Sequence, residues 1–257
     1  MKQLEFLRCE ADGPVGTVWL ARPPVNAVTQ EMYAEITELF GALDHYLPGV
    51  RAVVLTGEGR HFCGGNDLAE FRTMTPENAG ERMRAVREAF WAIHDAPVPV
   101  IAAVNGVALG TGLAIAASSD LVIAAEGAKF GLPEVNVGVM GGAKHASRLV
   151  PQGLVRYLHL TGEPLPAAEV ARFGGVLKIV PDDLLLGEAY ALAQQIVRHS
   201  PVALRFAKHS LNEIENLGLK DGYEFEQGLS GELSAYSDAK EAVAAFFERR
   251  SPVYTGT

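Results

Sequence analysis

The sequence predicts an α/β fold built on a mainly parallel sheet. Short runs of β-branched and other apolar residues, bounded by Gly, Pro or Asp, recur as far as Val180. Stretches with apolar residues three and four apart lie between them. Strands that alternate with helices pair in parallel, because a parallel crossover needs a dozen or more residues and a helix supplies them.

Taken in order, the predicted strands are Val15 to Leu20, Val50 to Thr56, Val98 to Val104, Leu121 to Ala125 and Val176 to Val180. Helices are predicted over Thr29 to Tyr46 and Pro76 to Asp95, each with an apolar stripe behind a capping residue. After Lys178 the pattern changes. Asp182 to His199, Pro201 to Leu217, Asp221 to Ser234 and Asp238 to Arg250 read as consecutive helices with no strand between them. These divide the chain into an α/β core over residues 1–199 and a C-terminal helical module over residues 200–257. A length of 257 residues lies near the upper limit for one hydrophobic core, which agrees with a single main domain and a helical appendix.

Composition narrows the function classes. With 48% hydrophobic and 21% charged residues, the chain can bury a sizeable core and lacks the profile of a disordered protein. A net charge of −9 argues against a nucleic-acid partner, since phosphate-backbone binding rests on clustered Lys and Arg. Cys9 and Cys63 are too few for a disulfide framework or a zinc site, so no metal is expected and a reducing, cytoplasmic location fits. The opening MKQLEFLRCEADG lacks the apolar core of a signal peptide. The apolar run from Val98 to Ala117 is broken by Asn105 and several glycines, so no membrane span is expected.

Three segments carry chemistry. Arg60 to Leu68, with Cys63-Gly64-Gly65-Asn66-Asp67 at its centre, follows the strand Val53 to Thr56. Its paired glycines allow close backbone approach to a ligand, though a tight turn with Asp67 capping the next helix explains them as well. Pro99 to Ala114 reads as a buried strand, a glycine-rich turn through Gly110-Thr111-Gly112 and a helix start, whose free N–H groups favour negative charge. Neither G-x-G-x-x-G nor Gly-Lys-Ser/Thr spacing is present, so both nucleotide motifs fail. The third segment, Ala128 to Gly142, sets one carboxylate, Glu134, among apolar residues behind Pro133. By itself Glu134 also suits a solvent-facing acid in a first helical turn.

In this order and spacing the three segments resemble the enoyl-CoA hydratase/isomerase, or crotonase, family. The resemblance extends to Pro24-Val25-Asn26-Ala27, to Leu160-Thr161-Gly162, to Gly174-Gly175-Val176 and to the closing Phe246 to Arg250, and so covers nearly the whole chain. It implies a crotonase-like spiral of repeating β-β-α units with C-terminal helices that trim the pocket. It also implies an acyl-CoA thioester substrate and assembly as a homotrimer or a dimer of trimers. No separate cofactor is implied, since coenzyme A is part of the substrate.

The resemblance places two backbone oxyanion donors at Asn66 and Thr111 and a catalytic carboxylate at Glu134. Cys63, Gly64, Gly65, Leu68, Gly110, Pro133 and Gly142 fall at substrate-binding positions. A second carboxylate used by the family's hydratases falls on Ala114, which can neither donate nor accept a proton. Hydration asks one carboxylate to activate water and another to manage the proton at the neighbouring carbon, whereas moving a double bond needs one base that takes and returns a proton. A lone Glu134, together with Pro23-Pro24-Val25-Asn26, therefore points to enoyl-CoA isomerisation. Hydratase or dehydratase chemistry with a non-standard acid or base, and noncatalytic acyl-CoA binding, stand as the alternatives.

His145 and Lys144, after Gly141-Gly142-Ala143, are candidates to reach the acyl pocket, with helix packing and surface exposure as the plain readings. Arg22, and Arg249 or Arg250, are candidates for the ligand's phosphates, with solvation as the alternative for each. The acyl wall is expected from residues 68–95 and from the C-terminal helices.

Overall fold

The computed structural model describes residues 4–257, so the first three residues of the N-terminal stretch lie outside the described residues. Nine strands are described: β1 (Leu7–Asp12), β2 (Val15–Leu20), β3 (Ala52–Gly57), β4 (Val100–Val104), β5 (Val107–Leu109), β6 (Leu121–Ala125), β7 (Lys129–Gly131), β8 (Leu165–Pro166) and β9 (Lys178–Val180). Six of them form a sheet in the order β1-β2-β3-β4-β6-β9, parallel throughout except for the antiparallel β1-β2 edge. The other three make a smaller sheet in the order β5-β7-β8.

The large sheet is apolar on both faces, as a parallel sheet covered by helices must be. Val53, Leu55, Val100, Ala102 and Val104 face a core shared with the helices Gln30–Gly41, Pro76–His94 and Thr111–Ser118. Their neighbours Ala52, Val54, Ile101, Ala103 and Ile123 face Leu185, Ala189 and Ala193 of the helix Leu185–Ile196. Burying each large aliphatic side chain contributes about 1.5–3 kcal/mol. Polar contacts tie the C-terminal helices to this core. Lys208, on the helix Pro201–Ile214, is buried and pairs with Asp120 at 2.8 Å while donating to the Ile93 and Val98 carbonyls. Within the C-terminal module itself, buried Asp238 accepts from Ser200 Oγ and from the Thr255 and Gly256 N–H groups.

The five predicted strands are present with ends shifted by up to two residues. The single helix predicted over Thr29 to Tyr46 is two, Gln30–Gly41 and Leu43–Tyr46, separated where Ala42 leaves helical dihedrals at φ −128° and ψ 42°. Gly41 closes the first of them, in keeping with the low helix propensity of glycine. Strand β1 escapes the sequence pattern because its partners are one-sided: only Leu7 is fully buried and four of its six residues are exposed.

Among the described residues no helix is long and apolar enough to cross a membrane.

Candidate active site

The site forms where three loops meet. After β3 the chain runs to Cys63, whose N–H donates to Val107 O and whose carbonyl accepts from Leu109 N–H, so this loop is stitched to β5. On its other side Val28 N–H donates to Gly65 O and Asp67 N–H donates to Val28 O. Asn66 lies between those two bonds, and its own N–H meets no acceptor among the described residues. Asn26 braces the same loop from behind: its buried side-chain amide donates to the Glu58, His61 and Phe62 carbonyls, and its oxygen accepts from Arg22 N–H.

The second loop ends at Gly110, whose N–H donates to Gly131 O at 2.9 Å. Thr111 opens the helix Thr111–Ser118, so its N–H is one of the first-turn donors without a partner inside the helix. Gly112 packs against the first loop so closely that a Cβ there would lie 2.3 Å from Cys63 O. The two free N–H groups thus sit on loops pressed together by backbone contact.

The third loop is the 3-10 turn Pro133–Val137. Its first-turn acid, Glu134, does not face water. The residue is 9% exposed, its Oε2 has no hydrogen-bond partner among the described residues, and burial pushes its pKa above the ordinary carboxylate value. Space for this carboxylate comes from Gly110, where a Cβ would lie 2.7 Å from Oε1; a Cβ on Gly142 would stand at an ordinary 3.9 Å from the same oxygen and would instead meet the Leu132 side chain at 2.6 Å.

A cavity of about 500 Å³ opens between these loops. Gly64, Gly65, Asn66 and Leu68 line it from the first loop, Gly110 and Thr111 from the second, and Pro133 and Glu134 from the third. Cys63 lies buried behind the wall, with its thiol pushed up to about 12 by burial, which removes it as a nucleophile at neutral pH. The rest of the wall is Val25 and Ala27, Ala69 and Phe71, and the far end of the 3-10 turn with Val139 beyond it. The helix Pro76–His94 instead turns Ala89, Phe90 and Ile93 into the protein core, and no residue of the C-terminal helices is in the cavity wall among those described.

Asp67 is the second acid at the cavity, and it is occupied: Oδ2 accepts from Arg22 at 2.7 Å and Oδ1 caps Ala69 N–H. The Arg22 guanidinium first, and that N–H with it, hold Asp67 below its ordinary pKa. Arg22 also donates to Ala27 O, so it braces the rim and is not in the wall itself. Lys144 is exposed and donates to Asn216 Oδ1, away from the cavity. His145 packs edge-on to Phe90 at 4.8 Å, and burial, with Arg148 beside it, lowers its pKa to about 4. Arg250 is held by Glu241 and Glu248. Ala114 is buried in the core cluster, one helical turn beyond Gly110, whose carbonyl accepts its N–H.

The sequence pattern passes over one group. Tyr33, on the helix Gln30–Gly41, reads as one more member of its apolar stripe, yet its hydroxyl lies 2.6 Å from Asn66 Oδ1 and 2.6 Å from Thr111 Oγ1.

The model of the family described as enoyl-CoA hydratase/isomerase matches residues 10–257. The chain belongs to the enoyl-CoA hydratase/isomerase family. A short-chain-enoyl-CoA hydratase of Clostridium acetobutylicum is 35% identical over 253 residues, covering 96% of this chain and 97% of its own. A (7aS)-7a-methyl-1,5-dioxo-2,3,5,6,7,7a-hexahydro-1H-indene-carboxyl-CoA hydrolase of Rhodococcus jostii is 34% identical over 245 residues, covering 95% and 94%. The crystal structure of an enoyl-CoA hydratase subunit from Geobacillus kaustophilus superimposes with a TM-score of 0.91 at 36% identity over 98% of this chain and 99% of that one. The fold is therefore the crotonase spiral, and the protein is an enzyme of that superfamily acting on acyl-CoA. Relatives of nearly equal identity carry different reaction names, so identity alone does not choose between reactions.

Proposed function

We propose that this enzyme moves the double bond of an enoyl-CoA thioester, with Glu134 as the single proton carrier and the N–H groups of Asn66 and Thr111 as the oxyanion donors. One observation carries the reading: among the described residues Glu134 is the cavity carboxylate left without a cationic partner, while the position for a second acid is the methyl group of Ala114.

A 3-enoyl thioester loses a C2 proton to the Glu134 carboxylate, and the electron pair moves through the thioester onto its oxygen as a dienolate. The oxygen takes hydrogen bonds from the two N–H groups, and a preorganised donor of this kind is worth about 10²–10³ in rate. The carboxylic acid then returns the proton to C4, leaving the 2-enoyl thioester and restoring the carboxylate. A base raised above its ordinary pKa by burial suits both halves of that transfer. The chemistry draws on no metal or redox group.

Hydration is the second reading, favoured by the reaction name of the Clostridium relative. Incubating the protein with 3-enoyl- and 2-enoyl-CoA of several chain lengths in deuterated water, followed by NMR, separates the readings. The expected result is double-bond migration with deuterium exchange at the carbons flanking it and no 3-hydroxyacyl product. A hydroxyacyl product overturns exclusive isomerisation, and absence of exchange with a ligand that demonstrably binds favours a noncatalytic acyl-CoA protein.

The same proposal includes self-association as a trimer or paired trimers. Leu219, Tyr223, Phe246 and Phe247 are exposed on the C-terminal helices, with Phe246 at 79% and Phe247 at 78% and their rings edge-on at 5.7 Å, which leaves apolar surface for a second copy of the chain to cover. Sedimentation velocity at micromolar concentration is expected to give three or six times the 27.5 kDa chain mass, and a monomer would overturn this part.

A further inference from the structure

We propose that Tyr33 is a positioning residue of the oxyanion hole, its hydroxyl clamping the side chains of Asn66 and Thr111 and thereby fixing the two backbone donors relative to each other. The inference rests on the acyl-CoA reading above and adds a residue to it.

The hydrogen positions follow from the groups themselves. A carbonyl oxygen only accepts, so the one hydrogen of the Tyr33 hydroxyl goes to Asn66 Oδ1, and Thr111 Oγ1 must donate its own hydrogen to Tyr33 Oη. The result is a directed chain, Thr111 to Tyr33 to Asn66, with both links at 2.6 Å. It joins the two residues whose N–H groups are the proposed oxyanion donors, and it does so from outside both of their loops.

The clamp is rigid at its base. Tyr33 is completely buried, its ring meets Phe90 edge-on at 6.1 Å, and its helix is capped by Thr29 Oγ1. Burial also holds the phenol far above its ordinary pKa, so it stays a neutral donor at any working pH. The loops it joins come from different strands, β3 and β5, and a thioester oxygen must lie within about 2.7–3.1 Å of a donor on each. A shift of either loop by a fraction of an ångström would lengthen one bond, so a link between the donor residues themselves has a direct effect on geometry. The chain further orients the Asn66 amide, with Oδ1 toward Tyr33.

The readout is the thioester carbonyl. Butanoyl-CoA carrying ¹³C at that carbon, bound to the full-length protein, is followed by difference infrared spectroscopy, with affinity measured by calorimetry and turnover of the active enoyl-CoA measured in parallel. In the unaltered protein the carbonyl stretch is expected below its value in buffer. Tyr33→Phe keeps the ring and removes the clamp, and is expected to lose about half of that displacement or more. Its kcat is expected to fall about tenfold while KM and affinity stay within about threefold, the pattern of an interaction used mainly in the transition state. Thr111→Val should match it, Thr111→Ser should restore the displacement, and Tyr33→Phe combined with Thr111→Val should be no worse than either alone, because all break one chain.

An unshifted carbonyl in the unaltered protein overturns the oxyanion reading and the clamp with it. A full displacement retained in Tyr33→Phe, or additive losses in the double variant, overturns the clamp alone. Should Tyr33→Phe not fold, the comparison of Thr111→Val with Thr111→Ser decides: equal spectra in those two overturn the clamp.

Discussion

Glu134→Gln is expected to lower kcat by about 10²–10⁴-fold and to leave acyl-CoA affinity nearly unchanged, because a positioned acid or base contributes about that factor and the amide fills the same space. The same substitution is expected to raise thermal stability. Burial raises the folded-state pKa of Glu134, so the fold favours the protonated acid, and the stability it contributes is present at low pH and lost as pH rises through the raised value. A neutral amide removes that loss, and a gain of about 1 kcal/mol would lift Tm by about 2–4 °C at neutral pH for a chain of this size. In the parent enzyme the catalytic dependence has the opposite sense. The base works only as the carboxylate, so kcat/KM falls as pH drops through a value above the ordinary carboxylate pKa. Turnover and melting curves on the pair of proteins from pH 5 to pH 9 check all three points. A Gln variant with parental kcat would remove Glu134 from the mechanism, and one with a lower Tm would contradict the cost assigned to its burial.

That coupling of activity to instability explains why Glu134 is ambiguous as a sequence signal. Behind Pro133, in a first helical turn, an acid is ordinarily stabilised by the helix dipole and by water together. Its inward orientation here depends on Gly110, which is distant in the chain and leaves room where any side chain would intrude. No local pattern reports that, and only the resemblance of three separated segments pointed to it. The proposed oxyanion residues came from the same resemblance: Gly64-Gly65 and Gly110-Thr111-Gly112 mark locally only backbone that can approach a ligand closely, which a tight turn explains as well.

The large sheet was legible because its strands are buried on both faces and read as unbroken apolar runs, such as Val100 to Val104. The small sheet was not, because β5, β7 and β8 are two or three residues long and are defined by pairing across the chain. Tyr33 illustrates the other limit. Helical periodicity correctly places its ring on the buried stripe, but the partners of its hydroxyl, 33 and 78 residues away, are set by how the loops fold over that helix. His145 and Lys144 were plausible from proximity in sequence to Gly142, whereas the helix turn Ala143–Ala146 carries one onto Phe90 and the other toward Asn216.

Gly110→Ala is expected to reduce kcat by at least about a hundredfold with a stability loss of about 1–3 kcal/mol. Gly110 has φ 54° and ψ −115°, a conformation open to glycine and strained for any residue with a Cβ, at a cost of about 1–3 kcal/mol. The added carbon would also stand 2.7 Å from Glu134 Oε1, below any normal contact. The end of a Glu side chain is easier to move than the backbone, so the carboxylate gives way and the base leaves its position. If the backbone relaxes instead, the peptide that follows rotates and takes the Thr111 N–H with it, so either response removes one of the catalytic elements. Gly80→Ala is the control: it lies within the helix Pro76–His94, meets nothing within 4 Å of its new carbon, and is expected to keep parental kcat with equal or higher stability. Chemical denaturation and turnover measured on both variants separate strain from lost catalysis. Near-parental kcat in Gly110→Ala would mean that neither Glu134 nor the Thr111 N–H has to occupy the position found here, and the single-base reading would fall with it.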